Sequence, residues 1–172
     1  MMIVGLLDPA EAHKVAKPKD YSVNSPNGQY SLKVSSKTGE HQLYKVEQGN
    51  RAQGQLMWSF KRDVGLGSYH VSNDGRHVLW AAWEFVKQDK IDQNALTVYS
   101  KEGVELSLAY ADVSKPVKYQ NDIPGPRGDF WRMWRYSINV DGDQLKIAVA
   151  GAGLLILDFS GGSIDVRRLN KP

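Results

Sequence analysis

Cysteine is missing from this chain altogether. Its absence removes disulfide staples, thiolate zinc sites and a cysteine nucleophile together. Long hydrophobic runs are missing as well: nothing approaches the roughly 18 apolar residues that a membrane-spanning helix needs, so no membrane span is expected. Blocks of like charge are absent. The 22 Lys and Arg stand against 19 Asp and Glu, a net charge of +3, and nucleic acid is not the favoured partner.

Catalytic signatures are equally sparse. No G-x-S-x-G elbow for a nucleophilic serine occurs, and Gly151-Ala152-Gly153 does not extend into a dinucleotide-binding fingerprint. Asp141-Gly142-Asp143 lacks the rest of a calcium loop. His70 and His77 flank one turn and could approach each other, but no third ligand accompanies them, so no metal is expected. The sequence points to a non-enzymatic protein with no cofactor. A carboxylate pair for glycoside hydrolysis stays open, because such pairs are set by distance in space.

What the chain has in quantity is alternation broken by tight turns. Residues 68–84, SYHVSNDGRHVLWAAWE, alternate apolar and polar positions on either side of Asn73-Asp74-Gly75. Asp-Gly between two such runs is a strong hairpin signal, because glycine takes a positive φ freely. The pattern recurs. Tyr30, Leu32 and Val34 follow Ser25-Pro26-Asn27-Gly28, and a strand over residues 144–150 follows Asp141-Gly142. Gly28, Gly75 and Gly142 stand 47 and 67 residues apart. Each begins a plan of strand, turn, strand, strand, Gly-containing turn and last strand. The fourth strands are expected over residues 56–60, 104–110 and 164–169. Residues 47–55 read as a polar loop and residues 85–94 as a charged insertion projecting into solvent. Residues 112–129, with Pro116, Pro124 and Pro126, read as a long irregular loop. Residues 130–140 read as one strand, with Trp134, Tyr136, Ile138 and Val140 on one face and Trp131, Met133 and Arg135 on the other.

Four-stranded units at this period are the mark of propeller blades. The fold expected is all-β: three four-stranded antiparallel blade-like units forming an open or partial β-propeller. Ser25-Pro26-Asn27-Gly28 and Ser72-Asn73-Asp74-Gly75 resemble the S-P-D-G turn of WD40 and TolB-like propeller repeats. Ser36-Lys37-Thr38-Gly39 and Ser160-Gly161-Gly162 look like the turn between their outer strands. The resemblance spans about 150 of the 172 residues, though each motif is a short turn and closed rings of that kind have four or more blades. It implies a fold and a tendency to bind other molecules, and transfers no catalytic residue.

Residues 1–20 read as a leader and residues 21–172 as a single domain. The apolar MMIVGLL and the A-x-A pattern at Ala10-Glu11-Ala12 resemble the tail of a secretory signal. A periplasmic or secreted location is expected on that ground, with the cytoplasm as the alternative. An unclosed array leaves sheet edges to protect, and a compact monomer is expected over a homodimer completing a six-bladed ring.

Two groups of residues are candidates for binding. Trp131, Arg132 and Arg135, just after the loop that carries Pro124 and Arg127, combine residue types enriched at binding hot spots. They suggest docking of a protein partner, either as an interaction module or as an inhibitor that plugs an enzyme with residues 124–129. The commoner fate of such a string is burial between blades. Trp80, Trp83 and Glu84 form the second group, suited to a small molecule or glycan, or to hydrolysis by the carboxylate. Trp80 and Trp83, three apart on a strand, should face opposite sides, one in the core and one half-exposed.

Overall fold

The computed structural model describes residues 19–47, 50–83, 85–87, 90, 92–113, 131–133, 135–149, 153–161 and 163–169. Three four-stranded antiparallel sheets dominate it. The first holds β1 (Tyr21–Asn24), β2 (Tyr30–Val34), β3 (Glu40–Glu47) and β4 (Asn50–Lys61) in that order. The second holds β5 (Gly67–Val71), β6 (Val78–Ala82), β8 (Asn94–Ser100) and β9 (Gly103–Ala109). The third holds β11 (Arg135–Asp141), β12 (Gln144–Val149), β13 (Gly153–Asp158) and β14 (Asp165–Leu169). A separate two-stranded sheet pairs β7 (Phe85–Lys87) with β10 (Trp131–Met133). The one helix among the described residues is the single turn α1, Tyr110–Val113. The architecture is an all-β array of three propeller-like blades that does not close.

The three turn glycines occupy equivalent corners. Gly28, Gly75 and Gly142 have φ of 70°, 68° and 60°, the left-handed region that glycine enters without cost from a Cβ. In the first two corners the same bonds recur. The Ser25 and Ser72 hydroxyls donate to Asn27 Oδ1 and Asp74 Oδ1 at 2.7 Å each. The Tyr30 and His77 amides donate back to those two Ser Oγ atoms at 3.0 Å each. The serine thus satisfies the turn that its side chain organises. The third corner is shorter, Asp141 pairing directly with Gln144.

The corners also join the blades. Asn27 N–H donates to Asn73 Oδ1 at 2.9 Å, Asn27 Nδ2 donates to Asn73 O at 2.8 Å, and Asn73 N–H donates to Asp143 Oδ1 at 2.9 Å. The Trp58 indole of β4 reaches across to Gly75 O at 3.1 Å.

Burial explains the order of the sheets. Every residue of β6 is buried, and β8 is buried from Ala95 to Ser100, because the second sheet is covered on both faces. Tyr69, Trp80 and Tyr99 face the first sheet: Tyr69 bonds His41 and the Tyr99 ring stacks on Phe60. His70 and Leu79 face the third sheet, lining a cavity of about 10 Å³ with Leu145 and Phe159, room for about one water molecule. The outer sheets are covered on one face only and alternate accordingly: β12 buries Leu145, Ile147 and Val149 and leaves Gln144, Lys146 and Ala148 partly open.

Four expectations from the sequence change. Residues 47–55 are not a loop, since β4 starts at Asn50 and pairs back to Glu47. Its polar ends, Glu47 and Gln55, are exposed while still carrying ladder bonds. Residues 85–94 do not simply project: Phe85–Lys87 finds a partner in Trp131–Met133. Residues 130–140 are not one strand, since β10 leaves for β7 and β11 joins the third sheet, with a register shift between Arg135 and Ser137. The face assignment across Trp131–Val140 therefore fails at that break. The start of the 112–129 loop is helical through Val113, and its remainder, like residues 1–18, lies outside the described residues.

Candidate functional site

Strand direction sorts the connections between two ends of the array. The glycine corners sit at one end, with the Lys101-Glu102 turn between β8 and β9. At the other end come the β4–β5 connection (residues 62–66), the β6–β8 connection with β7, the α1 turn, and β10 at the entry to β11. Both candidate groups fall at this second end. Trp83 directly follows β6, and the β7–β10 pairing sets Trp131 opposite Lys87 and Arg132 opposite Val86. Arg135 ties the groups together, its Nε donating to Ala82 O at 3.1 Å.

The placements differ from residue to residue. Trp83 is 45% exposed and Trp80 only 6%, the split expected of the pair. Arg135 is buried. Trp131 and Arg132 are described by their backbone pairing alone. Glu84, Trp134, Pro124 and Arg127 lie outside the described residues.

Trp80 is not an open stacking platform. The Arg62 guanidinium lies over its ring, 3.3 Å from the centroid, a cation–π contact. Arg62 comes directly after β4, and its amide donates to Gly39 O at 2.9 Å. Tyr21, Tyr69, Tyr99 and Tyr110 lie near enough for its charge to act on them. Burial pushes the Tyr69 phenol up to about 12, against the pull of Arg62. That keeps Tyr69 a donor, and its hydroxyl lies 2.7 Å from His41 Nε2. His41 Nδ1 lies 3.0 Å from Gly39 O, and a carbonyl can only accept. The proton therefore sits on Nδ1, and Nε2 accepts from Tyr69.

An open groove of about 470 Å³ lies beside this cluster, with Arg62, Leu66, Trp80, Trp83, Asn94 and Tyr110 among its lining residues. The sequence reading missed Arg62, Leu66 and Tyr110. KRDVGLG after β4 carries no motif, and only the docking of the second sheet on the first brings these residues beside Trp83.

His77 and His70 each have another partner. His77 Nε2 lies 3.2 Å from Glu105 Oε2, and His70 Nε2 lies 3.2 Å from the Ser68 hydroxyl. Among the described residues, no cluster of three or more His, Asp or Glu side chains suited to a metal occurs. No helix among them is long and apolar enough to cross a membrane.

No family model matches the chain, and no curated protein does. Similar solved structures include hydrazine synthase of Kuenenia stuttgartiensis, at 12% identity and a TM-score of 0.35, matching 87% of this chain and 53% of that one. Apo AztD from Citrobacter koseri matches at 10% identity and a TM-score of 0.41, over 88% of this chain and 48% of that one. The Swd1 beta-propeller domain of Myceliophteria thermophila matches at 14% identity and a TM-score of 0.33, over 90% and 44%. The chain thus spans about half the length of these structures, and its description as propeller-like rests on its own three sheets.

Proposed function

We propose that the protein is a non-enzymatic binding module, built from blades of the WD40 and TolB-like kind, that docks a protein partner with the end carrying Trp83, β7 and β10. The observation that carries the reading is the convergence of both candidate groups on that end, through the β7–β10 pairing and the bond from Arg135 to Ala82. Exposed Trp83 and Leu66 give that end an apolar contact surface, and tryptophan is a frequent anchor of interfaces. The opposite end is occupied by turns bonded to one another. A glycan or small molecule held by Trp80, Trp83 and Glu84 has less support, because Arg62 covers the Trp80 ring.

Site-specific photo-crosslinking tests this. A photo-reactive residue replaces Trp83 in one variant and Lys101, at the opposite end, in another. In cells of the source organism, specific protein adducts are expected from position 83 and not from position 101. Adducts from position 101 alone, or none from position 83, would overturn the reading.

A further inference from the structure

Among the described residues Arg62 has no counter-charge. It is half-buried, and its Nη1 is withdrawn from solvent with no hydrogen-bond partner among them. Its surroundings are the Trp80 ring, the phenols of Tyr69, Tyr99 and Tyr110, and His41. Partial withdrawal of a guanidinium from water costs free energy, which a bidentate carboxylate offsets best. Asp63, the one carboxylate among the groove residues, is exposed and not paired with Arg62.

The groove beside Arg62 has the shape and chemistry for such a group. It holds about 470 Å³. Trp83 and Leu66, 45% and 75% exposed, form an apolar rim, and Gln93 and Asn94 also line it. A nucleic-acid strand would require a succession of cations, whereas Arg62 is the only cation among the groove's described lining residues. Arg135 does not line it and is committed to Ala82.

We propose that this groove takes an acidic peptide segment, with one side-chain carboxylate on the Arg62 guanidinium and an adjacent apolar side chain against Trp83 and Leu66. The proposal rests on the docking reading above and names the chemistry of the segment. Gln93 and Asn94, on the same groove, are placed to bond the peptide's main chain.

The test is selection of a random dodecapeptide display library on the intact protein, followed by fluorescence anisotropy of labelled synthetic peptides. Selected sequences are expected to carry Asp or Glu next to an aromatic or aliphatic residue. Arg62→Gln should weaken them by roughly tenfold or more, as expected for loss of a charge-assisted bond. Changing the peptide's acid to its amide should cost the same on the wild type and nothing further on Arg62→Gln. Trp83→Ala should weaken acidic and amide peptides alike. Should Arg62→Gln not fold, as judged by near-UV circular dichroism, the acid-to-amide comparison on wild type and Trp83→Ala decides. Selection without acidic preference, no binder sensitive to Trp83→Ala, or Arg62-dependent binding of oligothymidylate in place of peptide would overturn the proposal. If adducts form at position 83 while Arg62→Gln keeps full affinity for that partner, docking stands and the acidic segment is wrong. If acidic peptides bind as expected while no adduct forms at 83, the reverse holds.

Discussion

At the residue scale, the three corner glycines share a conformation but not an environment. A Cβ on Gly28 or Gly142 would meet open space, whereas one on Gly75 would come within 2.4 Å of the Tyr30 ring. Alanine at Gly28 should therefore cost only the backbone term, roughly 1 kcal/mol. Alanine at Gly75 adds overpacking of about 1–3 kcal/mol and disturbs the carbonyl that accepts from Trp58. Urea unfolding of the two variants checks this, with the larger loss expected for Gly75→Ala. His70 supplies a pH prediction. Burial, reinforced by the Arg135 charge, pulls its pKa down from 6.5 to about 4, and burial lowers that of His41 as well. The unfolded chain then binds protons that the folded one refuses. Their contribution is complete above about pH 6.5 and is lost as pH falls toward 4, at most about 3 kcal/mol for His70. Urea midpoints between pH 7.5 and 4.5 should fall, and His70→Gln should flatten that slope. Asp158 titrates outside this window, since the Ser160 hydroxyl and amide and the Gln144 amide hold its carboxyl at about 2.

At the scale of the element, β6 is buried at every position and β8 at all but its first. Central burial of this kind gives the slowest amide exchange, while an outer strand such as β14, exposed at every position, opens at low cost. Hydrogen exchange read by mass spectrometry should protect Val78–Ala82 and Asn94–Ser100 longest and Asp165–Leu169 least. Uniform protection across the three sheets would contradict the packing described. Alternation made the strands of the first and third sheets legible, because each has one buried face. In β5 the same pattern misled in detail. His70 reads as a solvent-side position but faces the third sheet, and both faces of that strand are used. The β7–β10 pair was illegible, since three-residue strands drawn from segments some forty positions apart leave no period to detect.

At the scale of the molecule, the two outward sheet faces are mostly polar. On the first sheet Ser22, Lys33, Gln42 and Ser59 form one row across all four strands. On the third, Asp141, Gln144, Asp158 and Asp165 form another, braced by Arg167 Nη2 on Asp158 Oδ2 at 2.9 Å. The faces that meet between sheets carry Leu, Val and Ile instead. A polar outer face offers a second copy little apolar area to bury. The protein is accordingly expected to be a monomer in light scattering across a concentration series, and a stable dimer would show that one of these faces, or a strand edge, is an interface.

The sequence alone determined that the chain is built of antiparallel hairpins in three repeats. A positive φ at a turn and a period of two along a strand are local properties, written within a few residues of Gly28, Gly75 and Gly142. Only the tertiary structure decided that Trp80 lies under Arg62, that Arg135 is buried against Ala82, and that a groove opens beside Trp83. Those relations depend on which face of one sheet meets which face of the next, and that choice is made by packing between segments distant in the chain.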